Sequence, residues 1–563
     1  MYVRIVKSRQ RGKIYNSIQI CESYRDASKS PYPLTRVIAH LGQLDAFTDR
    51  DVDGIINGLC KVFGRTGAKD VTVTNGRDFG HIYSLLEIWK NLKIATILKQ
   101  KAKARGHKFD LEAQIRLLVF NRLCDPCSKL ALLEWIQGVY LPGIDPEQVE
   151  YHHLLRAMDW LIEQKEEIEK EIADQLLTLF ETEADLVFYD VTSSYFEGDR
   201  SVTVEDIRQY GYSRDHRPER RQILIGLVMT REGIPLAHHV FDGNRADKKT
   251  LGTVVKDLKE RFGLKRVVFV ADRGMLSEEN LEAILEADFD YLLSLPMRHS
   301  ATVTRLLKET EGRWNTDPKA CEQFYLDSSD EPLRYAVAYN PEIAGQARSR
   351  REERLTKADR FIDSVLTRLK RAESGQRSRG RPITVQGAFE QIHDYLRDRN
   401  LKRYYDVELV DGQLKVRPDT KARKQEEKID GKLVVESSCS DLTAEQLISR
   451  YKELADIERA FRTLKSSLEI RPMFHWTESR IRAHVFICVI ALQIHRYMRQ
   501  RLLESHLSVE RAMQRLQTLK AGTLSTPAGA AKYLAALEDK HREVYEQLQL
   551  PLPRVKHLEN HAL

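Results

Sequence analysis

The sequence predicts an α/β protein: a mixed sheet with helices layered against it. Three observations carry this. Leu186-Val-Phe-Tyr-Asp190-Val-Thr-Ser-Ser-Tyr195 runs four apolar or aromatic residues into an aspartate, the pattern of a buried central strand. Arg266-Val-Val-Phe-Val-Ala-Asp272 is a second buried run that closes on an aspartate. Between them and just beyond them, strand and helix patterns alternate.

Length and composition bound the rest. A chain of 563 residues suggests roughly three to four domains. Hydrophobic residues make up 42% and charged residues 31%, an ordinary globular composition with a strongly charged surface. The net charge of +7 and pI near 8.8 suggest a polyanionic partner. Seven scattered cysteines fit reduced thiols in a cytoplasm. Cys124 and Cys127 form a CxxC without a second pair to complete a zinc site, so two helix-face cysteines are expected. Met1-Tyr-Val-Arg-Ile does not open a signal peptide, and no apolar run reaches about 18 residues, so no membrane span is expected.

Residues 1 to about 48 read as short alternating strands: Tyr2-Val-Arg-Ile-Val, Ile14-Tyr-Asn-Ser-Ile-Gln-Ile and Arg36-Val-Ile-Ala-His-Leu. The cations Arg4, Lys7, Arg9, Arg11 and Lys13 suit a protected hairpin edge or a ribbon laid on nucleic acid. Asp51 to Val62 is a short helix. From Tyr83 to Phe180 the apolar residues recur at three- and four-residue steps, as in Leu111-Glu-Ala-Gln-Ile-Arg-Leu-Leu-Val-Phe. Short basic helices there suit a helix-turn-helix-like DNA reader or a plain packing domain.

After the Leu186 strand come a polar loop at Gly211-Tyr-Ser-Arg-Asp-His-Arg-Pro and a strand at Gln222-Ile-Leu-Ile-Gly-Leu-Val-Met. A turn at Gly233 follows, then an antiparallel partner at Ile234-Pro-Leu-Ala-His-His-Val-Phe. A helix precedes the Asp272 strand, and Ser277 caps another before the strand Asp290-Tyr-Leu-Leu-Ser-Leu. Residues 300 to 440 break the rhythm. Arg348 to Arg381 holds twelve Lys/Arg against five Asp/Glu, an excess of seven that equals the charge of the whole chain. Ala358 to Leu369 is helical, and Ser374-Gly-Gln-Arg-Ser-Arg-Gly-Arg-Pro is loop-like. Tyr404-Tyr-Asp-Val-Glu-Leu-Val, Gln413-Leu-Lys-Val and Lys432-Leu-Val-Val-Glu read as hairpin strands. This is a β-containing insertion whose basic arm suits phosphate contact. Thr443 opens a helix running through Tyr451, Glu458 and Lys465. A more apolar helix spans Ile481 to Leu503, and the tail to Leu563 reads as helical.

Two strands that deliver aspartates place acid where α/β layers gather ligands, at strand carboxyl ends. Neighbouring carboxylates repel unless a cation lies between them. A third carboxylate from a flanking helix would let two ions sit roughly 3.5–4 Å apart for in-line displacement at phosphorus. Glu458 is the candidate, sharing a helical face with Tyr451, Arg462 and Lys465. An exposed helix with ordinary i,i+4 pairing is the alternative.

Phe188-Tyr-Asp190-Val-Thr-Ser-Ser-Tyr-Phe-Glu-Gly, Gly211-Tyr-Ser-Arg-Asp-His-Arg-Pro, Phe269-Val-Ala-Asp272-Arg-Gly-Met and Ile457-Glu458-Arg-Ala-Phe-Arg-Thr-Leu-Lys465 together resemble the DDE transposases of bacterial insertion sequences. The likeness is to the group with a β-rich insertion between its second Asp and its Glu. It covers about Leu186 to Met498 and is weaker in the N-terminal segments. It implies an RNase H-like mixed-sheet catalytic core with a β-containing insertion, N-terminal β and helical domains, and a helical C-terminus. Asp190, Asp272 and Glu458 are then the catalytic triad, holding two Mg²⁺ ions for which Mn²⁺ can substitute. Tyr451, Glu458 and Lys465 match the family's Tyr-Arg-Glu-Lys signature helix. Its Arg position holds Leu454, with Arg450 and Arg462 nearby as substitutes. Trp314 is a counterpart of an aromatic that stacks on a flipped base in relatives, or else a core tryptophan.

The boundaries that follow are 1–75 for a β-rich DNA-end-binding or dimerisation region and 76–182 for the helix-turn-helix-like domain. The core's first part is 183–299, the basic insertion 300–441, the core's last part 442–505 and the tail 506–563. Tyr451, Arg462, Lys465, Arg348, Arg350, Arg351, Arg377, Arg379 and Arg381 are the expected DNA contacts. The expected partners are double-stranded DNA, as terminal inverted repeats and as target, and a second copy of the chain, because two ends are cut together. The expected setting is the bacterial cytoplasm, at the nucleoid. A transposase would cut the element ends and transfer the 3′-OH ends to target DNA. The alternatives are an RNase H-like nuclease without strand transfer and a DNA-binding repressor.

Overall fold

The computed structural model describes the chain except for residues 11–12, 27, 65–71, 104–108, 180–185, 199–202, 204–205, 247–249, 263–266, 273–276, 299, 328–332, 377–381, 527–528 and 559–563. For 10, 49, 72–75, 186, 272, 525–526 and 529 it describes the backbone alone. Arg11, Arg266, the Arg-Gly-Met after Asp272, and Arg377, Arg379 and Arg381 therefore lie outside what is described.

The first strands form an antiparallel sheet, β1 (Tyr2–Gln10), β2 (Lys13–Tyr24) and β3 (Leu34–Gln43), in that order. Helix α1 (Asp49–Val62) follows. Thr48 caps it by accepting from the Asp51 amide, and Asp51 returns a bond to the Thr48 amide. Strand β4 (Thr72–Asp78) leads into α2 (Gly80–Asn91), α3 (Ile94–Ala102), α4 (Leu111–Cys124), α5 (Leu132–Gly138), α6 (Tyr151–Glu163) and α7 (Lys165–Leu179). Helix α4 is buried from Leu111 through Arg122. It is a core helix, not the exposed recognition helix of a DNA-groove reader.

The predicted α/β region follows: β5 (Leu186–Tyr195), β6 (Gln222–Thr230), β7 (Pro235–Asp242), α8 (Leu251–Glu260), β8 (Val268–Asp272), α9 (Glu278–Glu286) and β9 (Asp290–Ser294). Ser277 stands at the start of α9 as expected, but its side chain makes no capping bond. Next come α10 (Ala301–Glu309), β10 (Gln323–Leu326), β11 (Arg334–Tyr339), α11 (Pro341–Glu373), α12 (Val385–Asp398), β12 (Tyr405–Val410), β13 (Gln413–Pro418), α13 (Thr420–Ile429) and β14 (Lys432–Ser437). The chain ends with α14 (Ala444–Lys452), α15 (Leu454–Ser466), α16 (Glu478–Arg501), α17 (Val509–Gln517), β15 (Lys520–Thr526), β16 (Gly529–Leu534) and α18 (Asp539–Gln547).

The central sheet has the order β10-β11-β14-β9-β8-β5-β6-β7. β5, β8 and β9 run parallel, and every other pairing in it is antiparallel. Its mixed character, with helices on it, is the RNase H-like α/β architecture that the motifs imply. Helix α16 is buried from Ala483 to Met498 and packs on α4 and α6, so the early helices and the late ones share one core.

Four sequence expectations change. The region 300–440 is not one insertion: β10, β11 and β14 extend the central sheet, and 341–431 is the inserted part. Lys432-Leu-Val-Val-Glu does not join the β12–β13 hairpin but pairs with β9 and β11, because Val434 and Val435 are fully buried and need cover on both faces. The helix expected from Ala358 is a single helix from Pro341, about 50 Å long at 1.5 Å per residue. Its buried stripe of Leu355, Ala358, Ile362, Val365 and Leu369 explains the continuity. The tail is not wholly helical: β15 pairs with both β16 and β4, closing the C-terminal end of the chain onto residues 72–78. The fourth change, a break in the Glu458 helix, concerns the site.

Candidate active site

Asp190 is the fifth residue of β5 and is half-buried. The parallel register pairs Leu186 with Val268 and Phe188 with Val270. Asp190 and Asp272 each lie two residues beyond the last of these pairs, toward the same end of the two strands. β5 continues with β6 to the Tyr195–Gln222 pair. The Val191 amide donates to Asp190 Oδ1 at 2.7 Å and orients that carboxylate.

Glu458 lies on α15, which packs on β5 and buries Ile457, Ala460, Phe461 and Leu464. Glu458 itself is exposed, and among the described residues no ion pair engages its carboxylate. α15 is a separate helix, because α14 ends at Lys452 and Glu453 turns to meet Arg231 at 2.7 Å. Tyr451 thus sits half-buried on α14, while Glu458, Arg462 and Lys465 sit on α15. One continuous helical wheel through all four is incorrect.

Arg496 on α16 sets the position of α15. It is 1% exposed, donates from Nε to the Gly233 carbonyl at 2.7 Å and from Nη2 to the Asp456 carbonyl at 2.8 Å. It thereby ties the β6–β7 turn to the helical turn just before Glu458. Burial pushes its guanidinium down to about 10, and neighbouring Arg499 adds to this. Gly233 has φ +70°, and a Cβ there would lie 1.9 Å from the Arg496 guanidinium, so only glycine suits this turn.

The Gly211–Pro218 motif folds onto the same region. The Arg214 amide donates to Ser193 Oγ at 3.1 Å. Lys465 donates to Asp215 Oδ1 at 2.8 Å, and Arg471 pairs with the other oxygen. Arg217 and Arg471 both stand over the Tyr195 ring. Lys465 is thus engaged within the protein. Burial lowers its ammonium pKa, and Asp215 opposes that.

The basic residues of the insertion divide. Arg348 and Arg350 are exposed on α11. Arg351 instead makes two 2.6 Å bonds to the largely buried Asp430 and anchors α11 to the end of α13. Trp314 is half-buried, 5.5 Å from the Tyr339 ring, with the Lys432 amine over its face. Asp215, Arg471 and Arg496 escaped the reading of the sequence. For Arg496 the available signal was a cation inside an otherwise apolar helical run, which implies a buried partner.

Three carboxylates, from two strands and a packed helix, are hard oxygen donors, suited to Mg²⁺ or Mn²⁺ and not to a thiolate- or imidazole-seeking ion. The untied Glu458 carboxylate fits that role. Among the described residues, Cys124 and Cys127 gather no further ligands. The grouping with metal-ligand spacing is Glu150, His152 and His153, largely exposed at the start of α6. Among the described residues no helix is long and apolar enough to cross a membrane.

A family model described as the transposase DDE domain matches residues 181–494. A second, for the N-terminal domain of IS1634 family transposases, matches residues 3–70. No curated protein matches the chain.

Proposed function

The chain belongs to the DDE-domain transposases of insertion sequences, and from that premise we propose that it binds its element's terminal inverted repeats, cuts DNA at the ends and joins the 3′-OH ends to target DNA. As a family member it is a DNA transposase, a DNA-binding enzyme that depends on a divalent metal. In the proposed reaction water adds across a phosphodiester, leaving a 3′-hydroxyl and a 5′-phosphate. That hydroxyl then displaces a target phosphodiester, so one bond forms for each that breaks and no covalent protein intermediate is needed.

Asp190, Asp272 and Glu458 would hold the metal, two Mg²⁺ ions or Mn²⁺ in their place. Bound there, the ions supply a deprotonated water and offset charge developing at phosphorus. Arg462, exposed one turn beyond Glu458, contacts the DNA backbone, and Arg348 and Arg350 contact it further along α11. Tyr451 supports this contact from α14, and Lys465 acts through Asp215 by holding the Gly211–Pro218 loop against β5. Two ends cut together call for a homodimer. The observation that supports this reading is that the strands bearing Asp190 and Asp272 pair in parallel and that the helix bearing Glu458 packs on the first of them.

The test uses Asp190→Asn and Glu458→Gln with element-end DNA and with pre-cut ends. Cleavage and joining should both fall below detection in either variant, while DNA affinity stays within about threefold. EDTA should abolish both reactions in the wild type, and Mn²⁺ should restore them. Cleavage retained in either variant refutes the triad. Cutting without joining of pre-cut ends makes the protein a nuclease.

A further inference from the structure

A cavity of about 470 Å³ opens between the helical region and the segment that follows α15. Its lining includes Arg122 and Lys129 from the helical region, and Arg471, Phe474, His475 and His484 from the other side. Two of these cations are buried without a carboxylate. Lys129 is 5% exposed, and its Nζ lies 3.3 Å from His484 Nδ1. The other His484 nitrogen, Nε2, lies 3.2 Å from the Ile470 carbonyl. A carbonyl only accepts, so Nε2 carries the proton and Nδ1 offers Lys129 a lone pair from a neutral ring. Burial holds His484 well below its ordinary value, with Lys129 and Arg122 adding to this.

Arg122 is 3% exposed. Its guanidinium donates to the Glu469 and Cys127 carbonyls and to Asn121 Oδ1, and Nε has no partner. These partners are neutral amide oxygens. Glu469 is the one acidic residue among the lining residues, and Arg122 takes its backbone oxygen and not its carboxylate. Burial, with Arg122 adding to it, pushes the Lys129 ammonium down to about 7, whereas the Arg122 guanidinium keeps its charge, so an anion placed between them would both offset Arg122 and hold Lys129 protonated.

The cavity is larger than a bare phosphate needs and lies within the roughly 300–1,000 Å³ that holds a small organic ligand. Phe474, 59% exposed, and Tyr151, 41% exposed, offer ring faces on its lining. Cations with an aromatic rim match a phosphate joined to a base. A base pair does not fit such a volume, so the nucleotide must be unpaired. Arg471 links the cavity to the catalytic region through Asp215 and Lys465, at the far end of the helix bearing Glu458.

We propose that this cavity binds an unpaired, 5′-phosphorylated nucleotide at the end of a cut DNA strand, with the phosphate on Lys129 and Arg122 and the base against Phe474. The inference rests on DNA cleavage that leaves a 5′-phosphate, but not on which carboxylates perform it.

The test measures binding of the full-length protein, in EDTA, to three labelled duplexes: blunt, with a 5′-hydroxyl overhang of two nucleotides, and with the same overhang 5′-phosphorylated. Excluding metal separates this result from any failure of the triad. The wild type should prefer the phosphorylated overhang over the hydroxyl form by about tenfold. Lys129→Met should abolish that preference. Phe474→Ala, at an exposed position that does not threaten folding, should lower the overhang-to-blunt affinity ratio. Equal wild-type affinity for all three duplexes overturns the proposal, as does an undiminished phosphate preference in Lys129→Met. A deoxynucleoside 5′-monophosphate should compete for the overhang at lower concentration than inorganic phosphate. Equal competition overturns the base-binding half.

Discussion

The Arg496 guanidinium donates to the Asp456 carbonyl at 2.8 Å, so a buried cation on α16 holds the helical turn that precedes Glu458. The same side chain reaches the Gly233 carbonyl of the β6–β7 turn. The helix bearing Glu458 is thereby tied to the β6–β7 turn, in addition to its packing on β5 and the Arg231–Glu453 pair. Arg496→Met removes the side-chain donor from the Gly233 carbonyl and the second donor from the Asp456 carbonyl, which keeps its helical partner, at a cost of about 1–3 kcal/mol. Cleavage at saturating DNA should fall by about tenfold or more, and by more than DNA affinity falls, because the change displaces Glu458 while of the exposed arginines proposed to contact DNA only Arg462 lies on α15. Arg496→Lys, which can still serve one carbonyl, should recover part of the rate. Unchanged turnover in Arg496→Met would remove this positioning role.

Asp215 is shared by Lys465 and Arg471. Its side chain is 8% exposed, and that of Lys465 is 16% exposed. Asp215→Asn leaves two cations facing each other with no counter-charge, and should lower stability by about 3 kcal/mol in chemical unfolding. Adding Lys465→Met to that background should return part of the loss, since it removes one unpartnered charge. If the two changes instead sum, the pair is not coupled.

Neighbouring arginines on α11 should behave differently. Arg351→Ala breaks a largely buried pair with Asp430 and should show as a lowered unfolding temperature, with a cost of about 3 kcal/mol. Arg348→Ala and Arg350→Ala remove exposed charges and should leave stability within about 0.5 kcal/mol. Each should weaken DNA binding and flatten the dependence of log affinity on log salt by up to about one unit. A stability loss for Arg348→Ala with unchanged salt dependence would reverse these roles.

Acid should destabilise the fold through buried histidines. His238 is fully buried and pairs with Glu169, while its Nε2 has no acceptor. Burial, aided by Lys165, pushes it down to about 4. The unfolded chain, near 6.5, then binds more protons than the folded one between pH 6.5 and 4. Stability is complete above pH 6.5 and is lost as pH falls through that window, with a slope approaching about 1.4 kcal/mol per pH unit for this residue. Burial lowers His81 to about 4 as well, which steepens the loss. Glu169 continues it at lower pH. Burial alone would raise its pKa, but Lys165, His238 and Arg261 together hold it well below the usual carboxylate range. Denaturant unfolding at pH 7.5 and 5.0 should show the fall, and His238→Gln should reduce the slope.

The central strands were legible because each is a short apolar run closing on a turn or an aspartate. Leu186–Tyr195, Gln222–Thr230 and Asp290–Ser294 lie within a residue of the expected bounds. Lys432–Ser437 was legible as a strand but not as part of this sheet, since a buried strand's pattern records that it is covered and not by what. The helix break at Glu453 was hidden for a related reason. Its apolar spacing continues across the junction, and the turn is stabilised by Arg231, more than 200 residues away.

Local pattern and motif thus determined the fold class and nominated three carboxylates in chain order, since each is written in a few consecutive side chains. Only the tertiary structure decided that the strands of Asp190 and Asp272 pair in parallel, that Lys465 and Arg351 face carboxylates inside the protein, and that Arg496 and Lys129 are buried. Those outcomes depend on which distant surfaces meet, and a charge reads the same in the sequence whether its partner is water, a phosphate or a carbonyl 260 residues away.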